Sequence, residues 1–285
     1  MAEVYDARAC TLGEGPLWHP ERGQLFWFDI LAGKLLSRDG DKPLEWQFEE
    51  MVSAAGWVDR DRLLIASETS LFLFDLITGA AREVAPLEAD NMETRSNDGR
   101  ADPEGGFWIG TMGRDAAPEA GAIYRFFDGQ LRRIYSGITI PNAICFAPDG
   151  KTAYFADSPT HKVMAQPLGA EGWPEGPPRV FLDLTGEGLV PDGAVTDAAG
   201  NLWLALWGAG RVDVYGPDGR LMDTIAVGGK KTTCPALGGP GFDTLFVTTA
   251  QEGYDAAGLA ADPRAGQVFT APAGRAGRPE PRVRL

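Results

Sequence analysis

Histidine is nearly missing from this chain. Of 285 residues only His19 and His161 are histidines, each beside turn residues (LWHPERG and SPTHKV), where exposed side chains are expected. Ser-His-Asp and Cys-His catalysis need a positioned imidazole, and zinc deaminases and HExxH proteases need one or two as ligands. None of those motifs is present, so any chemistry falls to carboxylates, amides and a metal. Cysteine is scarce as well: Cys10, Cys145 and Cys234 are far apart and in no CxxC spacing, which speaks against a disulfide framework. No apolar run approaches the roughly 20 residues of a membrane span. The start, MAEVYDARAC, lacks the basic residues and apolar stretch of a signal peptide. A soluble cytoplasmic protein without a membrane partner is the expectation. Basic charge is also short, with 26 Lys+Arg against 40 Asp+Glu and a formal net charge of -14. Nucleic acids and anionic surfaces reward clustered cations, so neither is expected as a partner.

What the chain has in quantity is glycine (37), proline (21) and short β-rich runs, with 44% hydrophobic residues to build a core. Turn residues followed by an apolar, aromatic-bearing run recur in HPERGQLFWFDI, VDRDRLLIASET, ADPEGGFWIGTM, FAPDGKTAYFADS, DAAGNLWLALW and GGPGFDTLFVTTA. The central residues Phe26, Leu64, Trp108, Tyr154, Trp203 and Phe246 are separated by about 38 to 49 positions. Each copy is followed by a second hairpin pattern, as in AIYRFFDGQLRRIY, where DG separates two β-rich runs. A period of 40–50 residues with about four strands per unit is that of a β-propeller blade. Six units predict an all-β protein, one six-bladed propeller of four-stranded blades spanning residues 1–285 as a single domain. The prefix AEVYDARACTLG has no unit of its own and is expected to close the ring by pairing into the last blade.

About eleven or twelve positions before each central residue stand Glu14, Ser53, Asn97, Asn142, Asp192 and Cys234. These precede the first hairpin of their units and so belong to the innermost strands, on a ring around the axis. Four of them carry a carboxylate or carboxamide. Beside most of them Gly or Pro lets the backbone crowd together. Singly, each is an ordinary turn residue. Together, in one phase of the repeat, they bring oxygen atoms toward one end of the channel, which is costly unless solvated or compensated by a cation. Oxygen donors alone favour Ca²⁺, Mg²⁺, Mn²⁺, Fe²⁺ or Zn²⁺, with positions left open for water and substrate.

At these residues the chain resembles the regucalcin (senescence marker protein) and gluconolactonase family of six-bladed propellers, which includes bacterial sugar-acid lactonases. LGEGPLWHP, RSNDGRADPEGGFWIGTM, IPNAICFAPDGKTAYFADS, VPDGAVTDAAGNLWLALWGAGRV and DTLFVTTA carry the resemblance in family order over nearly the whole chain. It implies one divalent metal bound by Glu14, Asn142 and Asp192, and substrate contacts from Arg95 and Asn97. Arg95 is selected by the resemblance and not by the repeat phase. Where animal members carry a substrate-contacting glutamate after GTM, this chain has GTMGRDAAPEAG, with Asp115 at about that place. Asp157, Ser158, Trp207 and Thr233 are further candidates for the pocket.

The implied chemistry is hydrolysis of an aldonolactone such as xylono- or gluconolactone, a small-molecule substrate, to the open-chain acid. With no imidazole a carboxylate must handle the protons. Asp192 is the expected general base as well as a ligand, with Glu14 entering from across the ring. Arg95 and Asn97 are expected to hold hydroxyls or the oxyanion. The alternatives are a paraoxonase-like esterase, which would want more ligands and an apolar entrance, and a non-catalytic calcium-binding regulator.

Overall fold

Six four-stranded antiparallel sheets stand around a common axis in the computed structural model, which describes residues 2–285. The innermost strands are Gly13–His19, Val52–Asp59, Thr94–Ala101, Pro141–Phe146, Val190–Thr196 and Thr232–Gly238. Each is the first strand of its unit, as the repeat predicted. The sixth sheet takes its outermost strand, Glu3–Asp6, from the N-terminal segment, which pairs antiparallel with Val268–Pro272. Closure by the prefix is therefore observed. The one α-helix among the described residues, Ala256–Ala261, is capped by Asp255, whose side chain accepts from the Gly258 N–H at 2.8 Å.

Alternation along each strand explains why the blades pack in a ring. Successive side chains of a strand point to opposite faces. In the first blade Phe26 and Phe28 join the core shared with the second blade, while Leu25 and Trp27 join the core shared with the sixth. One such core lies at every junction between neighbouring blades. A strand buried on both faces reads as a continuous apolar run, which is what LFWF and LWLAL are.

His19 departs from expectation. Its ring is fully buried, 5.5 Å from that of Trp57 in the second blade, with Nε2 3.0 Å from the Asp59 carbonyl oxygen. The residue ends a strand, and the next blade covers it. His161 does sit in a turn, half-buried, with Nδ1 2.8 Å from the Leu189 carbonyl oxygen. The three cysteines are free and buried.

Residues 274–285 carry no blade. They run across the end of the channel where the innermost strands finish. Gly277 N–H donates to the Phe242 carbonyl, Arg278 Nη2 to that of Phe146, Val283 N–H to that of Trp57 and Arg284 N–H to that of Gly105. Val283 is buried between the second and third blades. At the centre of this strap Glu280 pairs with Arg100 inside the channel, and its carbonyl accepts from Trp57 Nε1 at 2.7 Å.

Candidate active site

The opposite end of the channel opens into a cavity of about 420 Å³ lined by Glu14, Arg95, Asn97, Asn142 and Asp192. All five residues expected from the motifs meet there, though they come from four blades. The backbone explains the convergence. Every innermost strand breaks register with its neighbour at the ring position, between Glu14 and Leu17, Val52 and Ala54, Ser96 and Gly99, Asn142 and Cys145, Pro191 and Ala194, and Thr232 and Pro235. Such bulges re-aim a side chain. Small neighbours make the crowding possible. A Cβ on Gly15 (φ 54°) would lie 2.3 Å from the Ser53 carbonyl oxygen, and one on Gly193 2.3 Å from Cys234 Sγ.

Hydrogen bonds run around the mouth in one direction. Arg95 Nη1 donates to Asn97 Oδ1 at 2.9 Å, and Asn97 Nδ2 donates to Asn142 Oδ1 and to the Pro141 carbonyl, both at 3.0 Å. Asn142 Nδ2 donates to Ser158 Oγ at 2.9 Å, and Ser158 Oγ donates to the Pro191 carbonyl at 2.7 Å, beside Asp192. The chain fixes the Asn142 amide with its oxygen toward the ring and one lone pair still free. Asn97 has both amide hydrogens committed. Arg95, by contrast, lines the cavity and donates only through Nη1, which also reaches the Ser96 carbonyl, so Nε and Nη2 have no protein acceptor.

The two acids are in a costly environment. Burial pushes the Glu14 carboxyl up to about 8, with the charge of Asp98 adding to it and the Gly15 N–H and Arg95 acting against it. Burial also raises Asp192 well above the usual carboxylate range, and Glu14 is the next contributor. Glu14 and Asp192 belong to the first and fifth blades. They flank the sixth and do not face each other across the ring, and the Glu14 charge reaches Asp192. Deeper in the channel, burial raises Asp98 to about 6, with Arg100 and the Ile144 N–H pulling it down.

Glu14 accepts only from its neighbour's N–H, at 3.1 Å. Among the described residues no three His, Cys, Asp or Glu side chains gather at one point. A cation here would rest on two carboxylates completed by the free lone pair of Asn142. The donor set suits a hard divalent ion, and the charge of that ion would relieve both raised carboxyls.

The remaining candidates separate by contact. Asp115 is exposed on the rim, and its Oδ1 accepts from the Ala117 N–H at 3.1 Å within its own turn. Its neighbour Arg114 is held by both carboxylate oxygens of Glu68, at 3.2 and 2.7 Å. Ser158 and Trp207 line the cavity. Asp157 accepts from the Thr139 and Ile140 N–H groups, and Thr233 donates to the Gly13 carbonyl at 2.6 Å, so both serve the backbone. One acid of the lining was picked out neither by the repeat phase nor by the resemblance: Glu252, from the loop after the last inner hairpin.

Fold and site together define a six-bladed propeller with an acid-and-amide mouth at one end of its channel. Residues 12–251 match the family described as the SMP-30/gluconolactonase/LRE-like region, and the chain belongs to it. An L-arabinolactonase of Azospirillum brasilense is 37% identical over 274 residues, 94% of this chain and 90% of that protein. A pentonolactonase of Haloferax volcanii is 33% identical over 280 residues, 95% and 94% of the two chains. The crystal structure of regucalcin, a calcium-binding protein of Agrobacterium tumefaciens, superposes with a TM-score of 0.97 at 42% identity, covering 100% of this chain and 98% of that one.

Proposed function

We propose that this enzyme, a carboxylic-ester hydrolase of the lactonase type, opens a sugar-acid lactone to the aldonic acid with the help of one divalent cation. The observation that carries the reading is the convergence of two buried carboxylates, Glu14 and Asp192, with the Arg95 guanidinium in one cavity. The lactonase relatives support the substrate class. Glu14, Asn142 and Asp192 would hold the cation. When bound, a divalent cation supplies Lewis acidity that polarises a carbonyl and acidifies water.

The chain's own residues do the rest. Asp192, buried at the mouth of the channel, takes a proton from the attacking water. The water oxygen bonds to the lactone carbonyl carbon, and Arg95 donates to the oxygen on which charge develops. The ring C–O bond then breaks, and the proton passes from Asp192 to the departing alkoxide. Asn97 acts through others, holding Arg95 on one side and Asn142 on the other.

The test is acid release from a panel of pentono- and hexonolactones by chelated protein reloaded with Ca²⁺, Mn²⁺, Fe²⁺, Mg²⁺ or Zn²⁺ in turn. Lactone turnover that vanishes on chelation and returns with one of these ions is expected. Calcium binding without turnover of any lactone would leave a calcium-binding regulator. Preference for aryl esters would favour a paraoxonase-like esterase.

A further inference from the structure

Of the four acids that line the cavity, Asp192 is assigned to the cation, and Glu252 has no side-chain hydrogen bond or ion pair among the described residues. Asp115 spends an oxygen on its own turn, and Glu14 accepts from Gly15. The Glu252 backbone, by contrast, is tied down on every side. The N–H groups of Gln251 and Glu252 both donate to the Thr11 carbonyl, at 2.9 and 2.8 Å, and Tyr254 N–H donates to the Gln251 carbonyl at 3.0 Å. Lys231 Nζ donates to the Glu252 carbonyl oxygen and lies 3.9 Å from the Tyr254 ring centre and 5.4 Å from that of Trp207. The nearby cation is therefore spent on a main-chain oxygen and two aromatic faces. It fixes the loop to the cavity wall and leaves the carboxylate unpaired.

An unpaired, half-buried acid on a fixed loop is an acceptor set aside for something else. It is not one of a three-carboxylate cluster with Glu14 and Asp192, since no such cluster exists among the described residues. Its field does reach the site: after burial, its charge is the foremost influence on Arg95. A donor (Arg95) and an acceptor (Glu252) thus face one cavity, beside the half-buried indole of Trp207. Polyhydroxylated rings are bound by this combination, because each hydroxyl both donates and accepts while its C–H faces pack on an aromatic ring.

We propose that Glu252 is a specificity-determining residue that accepts a hydrogen bond from one hydroxyl of the substrate, taking the recognition role for which the sequence offered Asp115. The proposal rests on the lactonase reading above. It commits to a hydroxyl, not to the carbonyl or the ring oxygen, because an ionised carboxylate donates nothing.

The experiment measures kcat/KM for a lactone that the wild-type enzyme opens and for analogues each lacking one hydroxyl, in wild type, Glu252→Gln and Glu252→Ala. A hydrogen bond to a charged group corresponds to about 10- to 150-fold. In wild type one deoxy analogue should lose about that factor. In Glu252→Ala the loss should shrink to within about threefold, with KM moving more than kcat. Glu252→Gln, which keeps a neutral acceptor, should retain part of it. The loop is held by main-chain groups, so melting temperatures should match. If every analogue suffers the same loss in Glu252→Ala as in wild type, Glu252 binds no hydroxyl and the proposal falls while the lactonase reading stands. If wild type opens no lactone, the lactonase reading itself falls and takes the proposal with it.

Discussion

Asn142 donates its amide hydrogen to Ser158 Oγ at 2.9 Å, and this bond fixes which end of the amide faces the ring. Ser158 lies outside the set that would hold a cation, yet it orients one member of it. Groups that orient ligands typically matter by about 10- to 100-fold in metal affinity. Ser158→Ala should weaken metal binding by that range in calorimetry, with kcat largely recovered at saturating metal. Affinity unchanged within threefold would mean that the contact from Asn97 alone orients the amide.

Asp192 and Asn142 should fail differently. Asp192→Asn keeps an oxygen but removes the proton acceptor, so turnover should fall about 10²–10⁴-fold even at saturating metal. Asn142→Ala should lose metal affinity, and excess metal should recover part of its rate. If excess metal rescued both equally, Asp192 would act as a ligand only.

Arg95→Lys addresses the guanidinium edge. Lysine cannot reproduce a planar fork whose Nη1 holds Asn97 while Nε and Nη2 have no protein acceptor. The substitution should lower kcat/KM by about tenfold or more, while metal affinity stays within about threefold. Unchanged lactone kinetics would remove Arg95 from the reaction.

The buried acids predict how the metal-free protein responds to pH. Unfolded carboxyls titrate near 4, whereas burial holds Asp98 up at about 6 and Glu14 at about 8. Below pH 4 both folded and unfolded chains are protonated and nothing is lost. Between there and pH 8 the folded chain keeps protons that the unfolded chain has released, so stability falls as pH rises. Urea midpoints of chelated protein should decline from pH 5 to 9, and Glu14→Gln should flatten the upper part of that decline. A wild-type midpoint that is flat or rising over this range would contradict the assignment.

Glu280→Ala probes the strap. It strands the buried Arg100 guanidinium without its partner, and breaking a buried pair this way costs about 3–5 kcal/mol. The melting temperature of metal-loaded protein should fall by several degrees. A drop below one degree would show that the strap is held by its backbone contacts alone.

The parts of this molecule that repeat were legible in its sequence. Six apolar runs with a common period located the blades, and the unpaired prefix foretold the closing strand. The shared phase of Glu14, Asn97, Asn142 and Asp192 located the mouth, because equivalent residues of a ring must meet. What does not repeat was hidden. Residues 274–285 have no periodicity, and their contacts reach partners such as Trp57 and Gly105 that are remote in sequence. Glu252 enters the cavity from a loop, so counting back from Phe246 leads to Cys234 instead. His19 looked like a turn residue because the Trp57 that covers it belongs to the next unit. The commitment of both Asn97 amide hydrogens depends on geometry between blades, which no single segment encodes.

The strap also governs traffic. With Glu280 and Arg100 stopping the far end, the reaction chamber is blind, and whatever enters past Trp207 and Glu252 must back out the same way. Substrate and product therefore queue at one doorway, and inhibition by the aldonic acid should be competitive. The acid leaves with a negative charge that the lactone did not have. It meets a protein whose formal net charge is -14, and that field slows its return while leaving the neutral lactone free to approach. Excess acidity, ordinarily only an aid to solubility, here gives the doorway a direction.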